Sequence, residues 1–209
     1  MSFADQTDNN PKYKIIVVGD KGVGKTKFVK AFSSEEGSTV QDETLKAEVT
    51  SVICKTSFGP ICFEIYDPQE EQPNDNFFLK ADAAILMFDV TSRVSYKQIP
   101  MYYRDVIRVC DSIPVILVGN KVDIKDRKVH PKHIMFHRKK NLHYFDISAV
   151  SNYNVSKPFL QILKRLTQNP NLVFATPSEL TNNVTFQTYE QQFSELNKIQ
   201  LSDSEENDF

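Results

Sequence analysis

The sequence is poor in cysteine, close to zero in net charge and free of long apolar runs. Three cysteines, Cys54, Cys62 and Cys110, are an odd count without metal-ligand spacing, which argues against a disulfide scaffold and for a reducing, intracellular setting. Cys54 and Cys62 flank a turn predicted at Ser57 to Pro60 and so have a route to face each other; the plainer reading is two reduced, half-buried strand thiols. A net charge of -2 leaves no global field to draw in nucleic acid. The opening MSFADQTDNNP is polar, so neither a secretory signal nor a membrane span is expected. No cysteine stands near the C-terminus to carry a lipid, so no membrane anchor is expected there. Internal repeats and low-complexity tracts are absent, and His130, His133 and His143 follow no metal-site pattern.

What is present begins with 40% apolar residues, enough for a real core in 209 residues. The run Gly19, Asp20, Lys21, Gly22, Val23, Gly24, Lys25, Thr26 fits G-x-x-x-x-G-K-[ST], a phosphate-binding loop. It follows an apolar strand candidate, Tyr13 to Val18, and opens a helix candidate, Lys25 to Phe32, with Phe28, Val29 and Phe32 on one face. Glycines 22 and 24 let the backbone wrap an anion, and the helix end adds roughly half a positive charge. Lys25 is read as neutralising the β- and γ-phosphates and Thr26 as a Mg²⁺ ligand, with Lys27 beside them. A glycine-rich turn in an unrelated α/β fold is the competing reading, and the agreement of strand, loop and helix weighs against it.

A second motif names the base. Pro114 to Gly119 is apolar and runs into Asn120, Lys121, Val122, Asp123. Guanine presents N1–H and a 2-amino group side by side, and one carboxylate, Asp123, accepts both. Asn120 is read on the N7/O6 edge and the stem of Lys121 over the ring plane. Adenine would leave Asp123 unpaired, at a cost. Alone, N-K-x-D is weak, because Asn and Asp are ordinary turn residues; behind a phosphate loop it is strong. Ser148, Ala149 and Val150, after the strand His143 to Ile147, complete the base site, with the Ala149 N–H directed at O6.

The strand candidates are Tyr13 to Val18, Ala47 to Lys55, Ile61 to Tyr66, Ala83 to Phe88, Val115 to Gly119 and His143 to Ile147. Alternating with helices, they predict an α/β fold: a six-stranded, mostly parallel sheet covered on both faces, with the second strand antiparallel. The motifs then gather at the carboxyl ends of the strands. A helix is expected from near Pro131, with the basic cluster His137, Arg138, Lys139 and Lys140 at its end, read either as a solvated cap or as a partner contact.

From about Tyr13 to Phe174 the chain resembles the Ran family of Ras-like small GTPases. The stretches MFDVTSRVSY (Met87 to Tyr96), GNKVDIKDRKV (Gly119 to Val129), FHRKKNL (Phe136 to Leu142) and DISAVSNYNVSKPFL (Asp146 to Leu160) carry the resemblance further than the phosphate loop does. It implies a P-loop G domain over 12–175, a disordered segment at 1–11, and a C-terminal extension over 176–209. That extension would hold a helix near Tyr189 to Leu201 and the acidic end SDSEENDF. Thr44, in DETLKAEV, matches the effector-loop threonine that binds Mg²⁺ and senses the γ-phosphate. Asp67 matches the aspartate that holds Mg²⁺ through water. Implied with them are GTP and GDP as ligands and a nuclear and cytoplasmic monomer. Its expected partners are importin- and exportin-type transport receptors, Ran-binding proteins, an exchange factor and an activating protein.

The departures matter equally. The family follows its aspartate with T-A-G-Q-E, whereas Asp67 is followed by Pro68, Gln69, Glu70, Glu71, and the second switch segment is shorter. The phosphate-sensing glycine is missing. Gln69, one step early, is the only nearby candidate to orient water, with Lys25 the other catalytic candidate. Lys21 replaces a glycine and crowds the space an arginine finger needs, a partner contribution worth up to ~10⁵-fold in this class. A lysine there is a poor substitute for the arginine fork. Slow hydrolysis is expected, or a non-catalytic module competing for transport receptors; an adenylate-using kinase is opposed by Asp123.

Overall fold

The computed structural model describes residues 10–33 and 37–175. The expected C-terminal helix, the acidic end and most of the expected disordered N-terminal segment lie outside the described residues. In chain order the strands are β1 (Lys12–Val18), β2 (Ser38–Asp42), β3 (Ala47–Thr56), β4 (Gly59–Pro68), β5 (Ala83–Asp89), β6 (Val115–Asn120) and β7 (His143–Asp146). The helices are α1 (Lys25–Ser33), α2 (Asp75–Phe78), α3 (Arg93–Cys110), α4 (Phe136–Lys139) and α5 (Ser156–Leu166). The strands form one sheet in the order β2-β3-β4-β1-β5-β6-β7, antiparallel only across β2, β3 and β4.

Seven strands replace the expected six. The missed one, β2, reads STVQD and is exposed along nearly its whole length. With no buried face it leaves no apolar alternation, and only its ladder to β3 makes it a strand. The antiparallel second strand of the sequence reading is β3.

Alternation along β1 sorts the core. Ile15 and Val17 point to one face and meet Phe28 and Val29 of α1 and Phe159, Ile162 and Leu163 of α5. Ile16 and Val18 point to the other and meet Ile99, Tyr102 and Val106 of α3 and Phe77 and Phe78 of α2. Phe159 anchors α1: its ring stacks on Phe28 at 5.1 Å and on Phe32 at 3.7 Å. The helix that carries the phosphate loop is thus held by aromatic packing beneath it.

Two further expectations change. The helix foreseen from Pro131 is a 3₁₀ turn, Pro131–His133, followed by the separate short α4. Ile134 between them is fully buried and takes a non-helical ψ of 86°, so its burial breaks the helix. The basic residues form α4 and its cap rather than the end of a longer helix; Arg138, Lys139 and Lys140 are exposed while the His137 ring packs on Tyr144 at 5.3 Å. Cys54 pairs across the ladder with Ile61, and Cys62 with Ile53, so the two thiols point to opposite faces of the sheet. Both are free, as the plainer reading has it, and burial pushes the Cys54 thiol up to about 12.

Candidate functional site

β1, β4, β5 and β6 run in the same direction, so Gly19, Asp67, Asp89 and Asn120 leave the sheet at one edge. The loop after β1 bends back over that edge. Gly24 has φ +95°, and a Cβ on it would stand 2.6 Å from Asn120 Nδ2; at Gly19, φ +156°, a Cβ would run into the Met87 carbonyl. Glycine is required at both positions by conformation and by crowding.

The loop is fastened from two sides. Lys25 Nζ donates to the carbonyls of Gly19 at 2.9 Å and Asp20 at 3.3 Å, which holds the ammonium under the loop's own arch. Burial lowers the Lys25 pKa, and the charges of Asp67, Asp20 and Glu71 pull it back up. From β6, Asn120 Nδ2 donates to Val23 O at 2.9 Å, and its Oδ1 accepts the Ala149 N–H at 3.0 Å. Lys121 Nζ donates to Gly22 O at 2.7 Å and pairs with Asp89 at 2.6 Å. Asp89 also accepts from the Thr91 N–H and hydroxyl, both at 2.7 Å. Its pKa is lowered: burial opposes the charged form, but the bonds from Lys121 and Thr91 prevail.

Asn120 is therefore a knot between three loops, and the Ala149 N–H, expected to reach a base carbonyl, is given to Asn120 instead. Ser148 is buried; its hydroxyl accepts the Ser151 N–H at 3.0 Å, and its backbone pairs both ways with Tyr153. Asp123 is exposed, pairs with no cation among the described residues, and borders a hollow of about 430 Å³ with Val122, Asp146, Ser151 and Tyr153. A free carboxylate beside an opening is what recognition of two adjacent donors requires. Val150, in the same turn, is largely exposed.

The phosphate side is a cavity of about 400 Å³ lined from Lys21 to Lys27 by the loop and α1 on one wall and by Asp67, Pro68, Gln69, Glu70 and Glu71 on the other. The Thr26 hydroxyl donates to one oxygen of Asp67. The other oxygen, Oδ1, is buried with no hydrogen-bond partner, and burial raises the Asp67 pKa against the Thr26 bond and the Lys25 charge. A buried, unsatisfied carboxylate oxygen beside a hydroxyl suits a hard cation that takes oxygen ligands, and Thr26 with Asp67 is where Mg²⁺ fits.

Two sequence candidates stand apart from that cavity or are engaged elsewhere. Thr44 is exposed in the turn between β2 and β3 and is not among the cavity's lining residues. Gln69 lines the cavity, but its N–H donates to Lys46 O at 2.9 Å and its side-chain amide to Gln41 at 2.6 Å. The sequence reading missed Asp89. Its only signal was a carboxylate closing a buried strand on the motif-bearing edge, the same position Asp67 holds on β4.

A family model described as the Ras family matches residues 14–168, from within β1 to just past α5, and takes in the phosphate loop, Asp67 and the Asn120–Asp123 motif. That span is well over half of the chain, and the chain belongs to the Ras family, the small GTPases that bind GTP and GDP with Mg²⁺.

Proposed function

We propose that this protein is a Ran-type guanine-nucleotide switch, engaging nucleocytoplasmic transport receptors according to its bound nucleotide and hydrolysing GTP slowly. The observation that carries the reading is the joining of the loop Gly19–Thr26 to the N-K-x-D motif through Asn120 and Lys121, with Asp123 left free to select guanine. The transport assignment draws on the resemblance of the 87–96, 119–129, 136–142 and 146–160 stretches and on the exposed Arg138, Lys139 and Lys140, cations suited to an acidic receptor surface.

The chemistry is in-line attack of water on the γ-phosphate. Thr26 and, through water, Asp67 would hold Mg²⁺, which would supply charge stabilisation on the phosphate oxygens. Lys25 and the loop amides stabilise charge developing on the β,γ-bridge. What is missing is a residue committed to the water: Gln69 has its amide bound to Gln41, and Lys21 borders the space where an activating partner would reach. That arrangement supports slow turnover, and it equally favours a second reading, a non-catalytic guanine-nucleotide module that competes with Ran for receptors.

Single-turnover GTP hydrolysis with and without a Ran-type activator separates them. Slow cleavage that the activator accelerates supports the switch, and none above buffer supports the module. Rates equal to ordinary Ran remove the weakened-hydrolysis reading. Loss of salt-sensitive receptor binding on neutralising Arg138, Lys139 and Lys140 supports the transport assignment; unchanged receptor affinity removes this surface from it.

A further inference from the structure

We infer that the segment after Asp67 makes this site select a nucleoside diphosphate over a triphosphate, with Glu71 and Glu70 as the specificity-determining residues. The inference rests on the guanine-nucleotide reading above and concerns which state of that nucleotide the chain holds.

The two walls of the phosphate cavity differ in what they offer. The wall from Lys21 to Lys27 presents loop amides, the Thr26 hydroxyl and the Lys25 ammonium, enough to hold the phosphates nearest the nucleoside. A third phosphate would share Lys25 with them and would lie between the loop and the opposite wall. The first two residues of that wall after Asp67 offer it no donor. Pro68 has no N–H, the Gln69 N–H is taken by Lys46 O at 2.9 Å, and the Gln69 side-chain amide by Gln41 at 2.6 Å.

What the wall does offer is negative charge. Glu70 and Glu71 both line the cavity. Lys46 holds Glu70 at 2.7 Å in an exposed pair, while Glu71 has no paired cation among the described residues, and its charge is felt by Lys25. Glu71 thus lines the same cavity as the ammonium that an additional phosphate would seek. Like charges a few ångströms apart in a partly enclosed site readily cost a factor of about ten in affinity.

The wall is also tied in place. The β3–β4 ladder runs to Ala47 opposite Pro68 and the Gln69 N–H continues it, so the backbone of the wall belongs to the sheet, while the side chains of Gln69 and Glu70 rest on exposed contacts to Gln41 and Lys46. Moving its backbone away from a triphosphate requires opening the end of that ladder.

The test uses the full chain freed of nucleotide, titrated in excess Mg²⁺ with fluorescent GDP and with a fluorescent non-hydrolysable GTP analogue. The expected result is GDP binding at least about tenfold tighter, with that ratio falling at least about fivefold in Glu71→Gln and further in the Glu70→Gln/Glu71→Gln double variant. Thermal midpoints of the variants check that both fold. Equal affinities in the unaltered chain, or a ratio unmoved in a folded double variant, overturn the inference. Failure of both nucleotides to bind is the distinct result that removes the guanine-nucleotide reading and this inference with it.

Discussion

The two halves of the strand-end edge are built differently. On the side of the loop and the base motif, contacts reach from the core outward: Phe159 supports α1, Asn120 is 2% exposed, and Asp89, Lys121 and Gly22 form a chain of short bonds. On the switch side, β2 is exposed, Val40 is 61% exposed, and the segment after Asp67 is fastened by surface contacts such as Lys46–Glu70. Buried, mutually dependent bonds specify one arrangement, whereas exposed pairs in water contribute little and exchange readily. The difference teaches that the cradle is a product of folding, while the switch side is free to have its chemistry rewritten without loss of the fold. Pro68-Gln69-Glu70-Glu71, after the retained Asp67, is such a rewriting.

The largest blow to the comparison comes from the cradle's foundation. Phe159→Ala removes a fully buried ring stacked on Phe28 and Phe32, and should destabilise the protein by roughly 3–5 kcal/mol in chemical denaturation. A loss under ~1 kcal/mol would mean that the cradle does not depend on the packing beneath it.

A smaller but more pointed effect is expected at Asp89. Asp89→Ala leaves the Lys121 ammonium without its carboxylate and frees the turn at Thr91, so bound guanine nucleotide should dissociate roughly 10- to 100-fold faster in a stopped-flow chase. Asp89→Asn, which keeps a hydrogen-bond acceptor, should recover part of the loss. Dissociation unchanged in both variants would reduce Asp89 to a turn-capping residue.

The smallest effect belongs to the switch side. Lys46→Ala removes the partner of Glu70 in a pair exposed on both sides, and its thermal midpoint should coincide with that of the unaltered protein. A clear drop would show that the surface contacts fasten the switch segment more strongly than their exposure implies.

The candidate site was legible where chemistry depends on local spacing. Gly24, Lys25 and Thr26 follow one another, and Asn120 to Asp123 follow one another, so both motifs, and their place at the ends of parallel strands, could be read along the chain. The parallel strands were legible from their apolar runs, with ends within one or two residues of those observed. Features set by a distant neighbour were not. β2 exists because β3 pairs with it; the turn at Ile134 exists because the core takes that side chain; Asp89 acquires its role only when Lys121 is brought beside it.

By itself the sequence determined the family and with it the class of ligand, since the residues of the phosphate-loop and N-K-x-D motifs lie within a few positions of each other and need only local backbone geometry. Tertiary structure alone decided which of those groups are free to act. Asn120 and the Ala149 N–H are bonded to each other, Gln69 is bonded to Gln41, and one Asp67 oxygen and the Asp123 carboxylate are left open. A hydrogen-bonding group has a small number of partners, and only the folded arrangement settles which of them it takes.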